Sequence, residues 1–454
     1  MCGITGFLVA PGAVSGPDRV VNEMMDAIAH RGPDSRGQWS DSAAGIVLGH
    51  LRLAIVDLSP AGHQPMLSVS GRYVLTFNGE IYNHRHLRAA LEAAGKAPAW
   101  HGTSDTETLL AGIDAWGLDA TLEKCVGMFA FGLWDRKTRT LSLVRDRLGE
   151  KPLYYGWQGT GARAAFLFGS ELKALRRHPA FEGEIARDGL VEVLRHGHVG
   201  EDRSIWRGIG KVRAGEIVTV SNDDRTPHRR HYWDGMAAAA APKPPRLSDT
   251  AALDRLEALL LDAVGQQMMS DVPLGAFLSG GIDSSTIVAL MQRQSDRPVH
   301  TFSIGFHEAR YNEAEFAKAV AGHLGTHHTE LYVSDQDLRD VIPRLPRIYD
   351  EPFADSSQIP TFLVAEMARR HVTVALSGDG GDELFCGYGR YRHAARLRAA
   401  LNQVPLPLRR LASGAVRGIP AAALTRALEG LVPTPQGKEP IGQRLHRLAY
   451  YLSL

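Results

Sequence analysis

The 454-residue sequence predicts two domains of different class: a strand-rich α+β domain, then an α/β domain built on a parallel sheet. Three observations lead there. The chain is longer than one ordinary hydrophobic core accommodates. Up to about residue 215, short apolar runs are broken by Gly, Pro, Asn and Asp. Beyond residue 250, strand-length apolar runs alternate with segments of helical periodicity.

In the first half, Val20 to Ala29 reads as a helix that ends before RGPD, and Thr106 to Trp116 as another, with Ser104 and Asp105 available as caps. Met128 to Trp134 and Thr140 to Val144 flank DRKTR, the pattern of a hairpin with a longer loop. Residues 2–215 form the first domain, and 216–250, rich in Pro, Ala and charge, an exposed connector. The second domain, 251–454, opens with Leu253, Leu256, Leu260, Ala263 and Val264 on one helix face. Strands follow at Leu274 to Leu278, His300 to Phe306, His328 to Val333 and Val372 to Leu376. Helices come between them: from about Ser284, over Asn312 to Leu324, within Gln336 to Tyr349 and around Thr361 to Arg370. Parallel sheets of this kind bind ligands at the carboxyl ends of their strands.

Composition narrows the function classes. A net charge of +1, with no long basic run, gives no footprint for nucleic acid or an anionic membrane, so small-molecule substrates are expected. Three scattered cysteines, Cys2, Cys125 and Cys386, follow neither disulfide nor metal-ligand spacing and fit a reducing, cytoplasmic setting. The N-terminus has no signal-peptide pattern, and no apolar run is long enough to span a bilayer.

Ser279 to Ser285 read SGGIDSS, between an apolar strand and a helical pattern. Glycines permit close backbone approach, amides at a helix start attract anions, and the hydroxyls of Ser279, Ser284 and Ser285 add donors. Asp283 would repel phosphate unless a divalent cation intervened. Local physics also admits, as the lesser reading, a tight strand-to-helix turn with a Ser/Asp cap. A second loop, SGDGGDE at Ser377 to Glu383, again follows a strand and brings the carboxylates Asp379, Asp382 and Glu383. Oxygen ligands shared with substrate phosphates are what Mg²⁺ prefers.

SGGIDSS resembles the pyrophosphate loop of the ATP pyrophosphatases, and SGDGGDELFCGY narrows the resemblance to asparagine synthetases and their close relatives. That resemblance implies an adenine nucleotide alpha hydrolase-like fold, with ATP as substrate and Mg²⁺ held by Asp283 and Asp382. Pyrophosphate would lie on Ser279, Gly280, Gly281, Asp283, Ser284 and Ser285, and adenosine near Phe277, Leu278, Ile304, Ser377 and Gly378. Asp379 stands where many members carry Glu, at a position implicated in forming and capturing the acyl-adenylate. EPFADSSQIP, Glu351 to Pro360, looks like the family segment near the acceptor, which favours an aspartate-like acid.

The chain opens MCGITGF. A lone cysteine there could be an inert core thiol. The stretch resembles the start of class II glutamine amidotransferases, N-terminal-nucleophile hydrolases with an αββα sandwich. RGPDSRG at Arg31 to Gly37, LRLAIVD at Leu51 to Asp57, FNGEIYN at Phe77 to Asn83 and GTSDTE at Gly102 to Glu107 follow in family order. If Met1 is removed, Cys2 carries both thiol and base. The resemblance gives Asn78 and Gly79 the oxyanion hole, Arg52 the α-carboxylate of glutamine, and Glu80 and Asp105 its α-ammonium, with Asn78 and Gly79 also touching the bound glutamine.

Together the resemblances imply ATP-dependent amidation of aspartate with glutamine-derived ammonia, through a sheltered path and in a homodimer. Other acceptors such as a sugar uronate, a glutaminase without completed synthesis, and a non-catalytic assembly subunit stay open. The intact Cys2 argues against the β-lactam-forming relatives. Members usually continue past a point such as YYLSL to a charge-stabilising Lys, so an incomplete synthetase half is expected.

Overall fold

In the computed structural model, the structure describes residues 1–242, 246–308, 312–428 and 439–453. These divide into two compact units, Met1–Ser377 and Gly378–Leu454.

The first unit begins with two six-stranded antiparallel sheets filled alternately by the chain. β1 (Gly3–Val9), β2 (Ser35–Asp41) and β3 (Ile46–Arg52) start the first sheet. β4 (Met66–Leu67), β5 (Tyr73–Ile81), β6 (Gly127–Asp135) and β7 (Thr140–Arg145) build the second. β8 (Tyr154–Gln158), β9 (Ala165–Gly169) and β10 (Gly210–Lys211) return to the first, while β11 (Glu216–Ser221) and β12 (His228–His231) complete the second. The strand orders are β10-β8-β9-β1-β3-β2 and β12-β11-β7-β6-β5-β4.

β1, β3 and most of β5 are buried throughout, because both faces of each sheet are covered. Period-two alternation sends Ile4, Leu8, Ile46, Leu48, Val74, Ala130 and Trp134 into one core between the sheets. The opposite face of the first sheet, Phe7, Val9, Val47 and Leu51, packs on α1 (Pro17–Asp26) through Val20, Val21, Met24 and Met25. The outer face of the second, Leu75, Phe77, Phe129 and Phe131, meets Leu87 of α2 (His84–Ala93), Leu109 and Ile113 of α3 (Asp105–Trp116) and Leu122 of α4 (Leu118–Lys124). The result is helix, sheet, sheet, helix. α5 (Leu172–Leu175) and α6 (Arg187–His196) fill out the first sheet's side.

The expected connector at 216–250 differs from what forms. EIVTVS alternates and buries Ile217, Val218 and Val220, so β11 pairs with β7 and then β12. Chain leaves the sandwich only after His231, through α7 (Gly235–Ala240), and residues 243–245 of the expected connector lie outside the described set.

α8 (Asp249–Gln267), capped by Ser248, leads into a four-stranded parallel sheet: β13 (Leu274–Phe277), β14 (His300–Phe306), β15 (His327–Val333) and β16 (Val374–Leu376). Its order is β15-β14-β13-β16. α9 (Ile282–Arg293) and α10 (Ala314–Leu324) cover it with α8, burying Val264, Ala276, Leu278, Val288, Met291, Ala317 and Ala321. The helix expected within 336–349 is broken by Pro343 and Pro346 into α11 (Asp335–Val341), a 3₁₀ turn and α12 (Leu345–Ile348), since proline cannot donate to the preceding turn. α13 (Gln358–Ala368) precedes β16. Strand order reverses between β13 and β16, so residues 278–285 and Ser377 leave the sheet at one switch point.

The second unit is helical: α14 (Gly381–Phe385), α15 (Gly389–Asn402), α16 (Leu406–Arg417), α17 (Ala421–Leu428) and α18 (Ile441–Leu452). α18 packs on both α16 and α17, with the Ser413 hydroxyl donating to the Ala449 carbonyl at 2.7 Å. Among the described residues, no helix is long and apolar enough to cross a membrane.

The inter-sheet core makes a direct prediction. Trp134 is 1% exposed there, so Trp134→Ala should lower unfolding free energy by about 3–5 kcal/mol in chemical denaturation followed by far-ultraviolet circular dichroism.

Candidate functional site

At one end of the sandwich the inward-facing positions change from apolar to polar. On β3 the inner sequence runs Ile46, Leu48, His50, Arg52, and on β5 it runs Val74, Thr76, Asn78, Glu80. Pairing of Gly3 with Leu51 and Ile4 with His50 carries Cys2 to the level of Arg52. Pairing of Glu80 with Met128 closes the opposite wall. Cys2, Arg52, Asn78, Gly79, Glu80 and Asp105 thereby line one cavity, with Lys151 and Met1 at its margin. The two sheets are tied just behind it: His50 Nε2 lies 3.1 Å from the Phe77 carbonyl, and the Thr76 hydroxyl donates to the Gly49 carbonyl at 3.2 Å.

Cys2 Sγ donates to the Leu53 carbonyl at 3.6 Å and accepts from the Leu53 amide at 3.4 Å, which fixes the side chain against the strand end. Burial pushes its thiol above the usual range, so a base is needed to produce thiolate. One is adjacent. Burial lowers the Met1 amine to about 6, leaving it largely unprotonated at neutral pH.

Asn78 is 1% exposed, and among the described residues neither its Nδ2 nor its Oδ1 has a hydrogen-bond partner. A buried amide left unpaired costs about 1–3 kcal/mol unless something else completes it. Gly79 is required sterically, since a Cβ there would lie 2.3 Å from the Met128 carbonyl oxygen.

Arg52 is held rather than free. Its guanidinium donates to the Ser59 carbonyl at 2.8 Å and to the Asp57 carbonyl, and Gly62 leaves the space it occupies. Its remaining N–H groups are what a carboxylate could use. Asp105, at the start of α3, accepts the Ile81 amide at 2.8 Å, while Ser104 caps the helix by accepting from Glu107 at 3.2 Å. Burial raises Glu80 to about 7, with the Asp105 charge adding to it, and burial raises Asp105 to about 6. Two buried carboxylates in one cavity are a receptor for a cation.

Sequence reasoning missed two members of this site. Arg31 donates from Nε to the Cys2 carbonyl at 2.9 Å, and Lys151 is 6% exposed on the cavity wall. RGPDSRG contained the first without revealing its target; a lysine entering a buried strand in GEKPLYY was the signal for the second.

In the parallel sheet, β13 leads into the SGGIDSS loop and α9 starts at Ile282 behind its N-cap Gly281 with no side-chain cap, so its first amides remain available. Gly280 takes φ +78°, and a Cβ there would strike the Ala317 amide of α10 at 2.7 Å. The serines do not behave alike. The Ser279 and Ser284 hydroxyls bond each other at 2.9 Å and shape the loop, whereas Ser285 Oγ is buried without a partner among the described residues. Asp283 is half-buried in the first turn of α9. Leu278 and Ile304 point their side chains into cores, leaving their main chain for any ligand, and Phe277 is half-buried. Ser377 and Gly378 are half-buried where β16 ends. In the second unit, Asp379 is exposed just before α14, and Asp382 is half-buried in its first turn. Among the described residues, no three His, Cys, Asp or Glu side chains converge as a metal cage.

The sequence profile of the glutamine amidotransferase domain matches residues 1–233, and that of asparagine synthase matches 255–450. A putative glutamine-hydrolysing asparagine synthetase of Mycobacterium tuberculosis is 37% identical over 422 residues, covering 90% of this chain and 64% of the relative. A Methanocaldococcus jannaschii protein of the same description is 37% identical over 416 residues, covering 87% of this chain and 77% of the relative. Asparagine synthetase 1 of Bacillus subtilis is 34% identical over 448 residues, covering 98% and 67%. The chain therefore spans 64% of the length of the mycobacterial relative. With both profiles matched in order and these identities sustained along the sequence, the chain belongs to the glutamine-hydrolysing asparagine synthetase family.

Proposed function

We propose that this chain hydrolyses glutamine at Cys2 and uses the ammonia to amidate an ATP-activated carboxylate, with aspartate as acceptor and asparagine as product. The observation that carries the first half is the unpartnered Asn78 amide in the same cavity as Cys2. With Met1 removed, the α-amine would belong to Cys2 itself, beside its own thiol, and would take the thiol proton. The thiolate attacks the glutamine amide carbon. Negative charge collects on the former carbonyl oxygen, stabilised by Asn78 Nδ2–H and the Gly79 amide. Collapse expels ammonia, which receives the proton from the α-amine, and water then cleaves the thioester to glutamate. Arg52 orients the substrate carboxylate, and Glu80 with Asp105 its ammonium.

For the second half, ATP fits the switch point between β13 and β16, with phosphates toward the free amides of α9 and the Ser285 hydroxyl. Asp283 and Asp382, the two carboxylates that the resemblance assigns to Mg²⁺, are oxygen donors of the kind the ion prefers, and it would supply neutralising charge for the pyrophosphate. The acceptor carboxylate attacks the α-phosphorus, pyrophosphate departs, and ammonia displaces AMP, with Asp379 placed by resemblance at the acyl-adenylate. Aspartate as acceptor rests on the resemblance of Glu351 to Pro360. A homodimer rests on resemblance as well, as does assignment of the sandwich, which runs on past residue 215 to His231, and of residues 251–454 to the two activities.

Cys2→Ala should abolish ammonia release from glutamine while leaving thermal unfolding unchanged; retained release would refute the assignment. Asn78→Ala should reduce kcat for glutamine hydrolysis about 10²–10³-fold with little change in KM, the signature of a lost oxyanion donor. The carboxylates set a pH dependence. Glu80 ionises only above about 7 in the free protein, so glutamine KM should rise as pH falls from about 8 to 6, and Glu80→Gln should hold KM high and leave only the shallower dependence near 6 that Asp105 contributes, in steady-state assays.

A further inference from the structure

The nucleophile's main chain is connected to the far part of the first unit by a line of buried charges. Arg31, which holds the Cys2 carbonyl through Nε, gives Nη1 to Glu171 Oε1 at 2.7 Å. The other oxygen of Glu171 takes Lys173 Nζ. Lys173 Nζ then reaches Asp350 Oδ1 at 3.1 Å, while the Lys173 amide donates to Asp350 Oδ2 at 3.0 Å. The four side chains are only 9%, 13%, 18% and 10% exposed, so solvent screens this line little. Burial opposes ionisation of Glu171, but His30, Arg31 and Lys173 together hold it down to about 2. Glu171 is therefore charged at neutral pH, and displacing one of its partners strands the neighbour.

Asp350 immediately precedes the Glu351 to Pro360 segment. That segment is docked on the sandwich by a separate clamp: Glu351 accepts the Ile205 amide at 2.7 Å and pairs with Lys211 at 2.8 Å, and the Ala354 amide donates to the Gly197 carbonyl at 2.7 Å. The relay and the clamp thus hold one segment at two points, and the relay continues through side-chain charges to the Cys2 carbonyl.

We infer that Asp350 is a positioning residue for Cys2, acting through Lys173, Glu171 and Arg31, so that the 350–360 segment and the nucleophile are mechanically linked. This rests on the glutaminase reading only in taking Cys2 as the nucleophile. Removing the Asp350 charge lets Lys173 draw Glu171 away from Arg31, which loosens the hold on the Cys2 carbonyl. Reactivity of the thiol changes although no residue lining its cavity has been altered.

The test uses the 454-residue chain and follows iodoacetamide alkylation of Cys2 by peptide mass spectrometry, which separates it from Cys125 and Cys386. Asp350→Asn should change the Cys2 alkylation rate by about threefold or more, the low end of coupling through such a network. Glu171→Gln should change it at least as much, and the double variant should match Glu171→Gln alone, as members of one pathway do. Lys211→Met, which releases the parallel clamp, should leave the rate within about twofold. If Asp350→Asn fails to fold, Lys173→Gln cuts the same relay and carries the same expectation. Wild-type rates in Asp350→Asn, multiplying effects in the double variant, or an equal change in Lys211→Met would each overturn the inference. In parallel glutamine assays, kcat should fall in Asp350→Asn with KM unchanged. A wild-type chain that released no ammonia would defeat the glutaminase reading, while the alkylation series still decided the relay.

Discussion

Face-to-face packing of two antiparallel sheets is the constraint on which the rest depends. Because strand side chains alternate with a period of two, one face of each sheet must enter the shared core, and the same parity that buries Ile4, Ile46, Val74 and Ala130 points Cys2, Arg52, Asn78, Glu80 and Met128 inward a few residues along. A slip of one residue in β5 would exchange Asn78 and Glu80 for Phe77 and Gly79, filling the cavity with an aromatic ring and turning the polar groups into the α3 layer. The core fixes the register, and the register assembles the site. Desolvation follows from the same packing and keeps Glu80 near 7, Asp105 near 6 and the Met1 amine near 6.

The parallel sheet is attached to this sandwich at specific points within the first unit. The Asp271 carboxylate accepts the Asp57 amide at 2.8 Å, and the Asp271 amide donates to the Ile55 carbonyl at 2.9 Å, just before β13 begins. Asp57, at φ +61°, also supplies a carbonyl to Arg52. The loop that holds the candidate glutamine arginine is therefore shared with the strand that leads to the SGGIDSS loop. Together with the clamp on Glu351 and the Asp350 relay, this places polar contacts between the two sheet systems. Such contacts are directional, and the loss of one partner leaves a buried group unsatisfied.

Much of this was legible in the sequence, for identifiable reasons. Local periodicity gave the β6–β7 hairpin, α3 with its Ser104 cap, and the alternation of β13 to β16 with helices. Resemblance to the class II glutamine amidotransferases named Cys2, Arg52, Asn78, Gly79, Glu80 and Asp105, which line one cavity. What escaped were properties set by distant partners. β11 and β12 looked like connector because HRRH is exposed and charged, although EIVTVS already alternated. Whether a serine hydroxyl faces a ligand or a neighbour is not encoded locally, so Ser279 and Ser284 looked equivalent to Ser285 until their mutual bond appeared. Arg31 acquires its function from a carbonyl 29 residues away in sequence, and Glu351 from a lysine and an amide in the other sheet system. α15 to α18 were not anticipated individually, because past β16 no strand punctuates the helical pattern.

The central claim is that the Cys2 cavity supplies nitrogen to a carboxylate activated at the β13–β16 switch point. Its most direct test is mass spectrometry of products from amide-¹⁵N glutamine, MgATP and aspartate incubated with this chain. Nitrogen transfer between the two sites yields ¹⁵N-asparagine together with AMP and pyrophosphate. Labelled ammonia and glutamate as the sole products, with ATP intact across a panel of carboxylic acids, would contradict it.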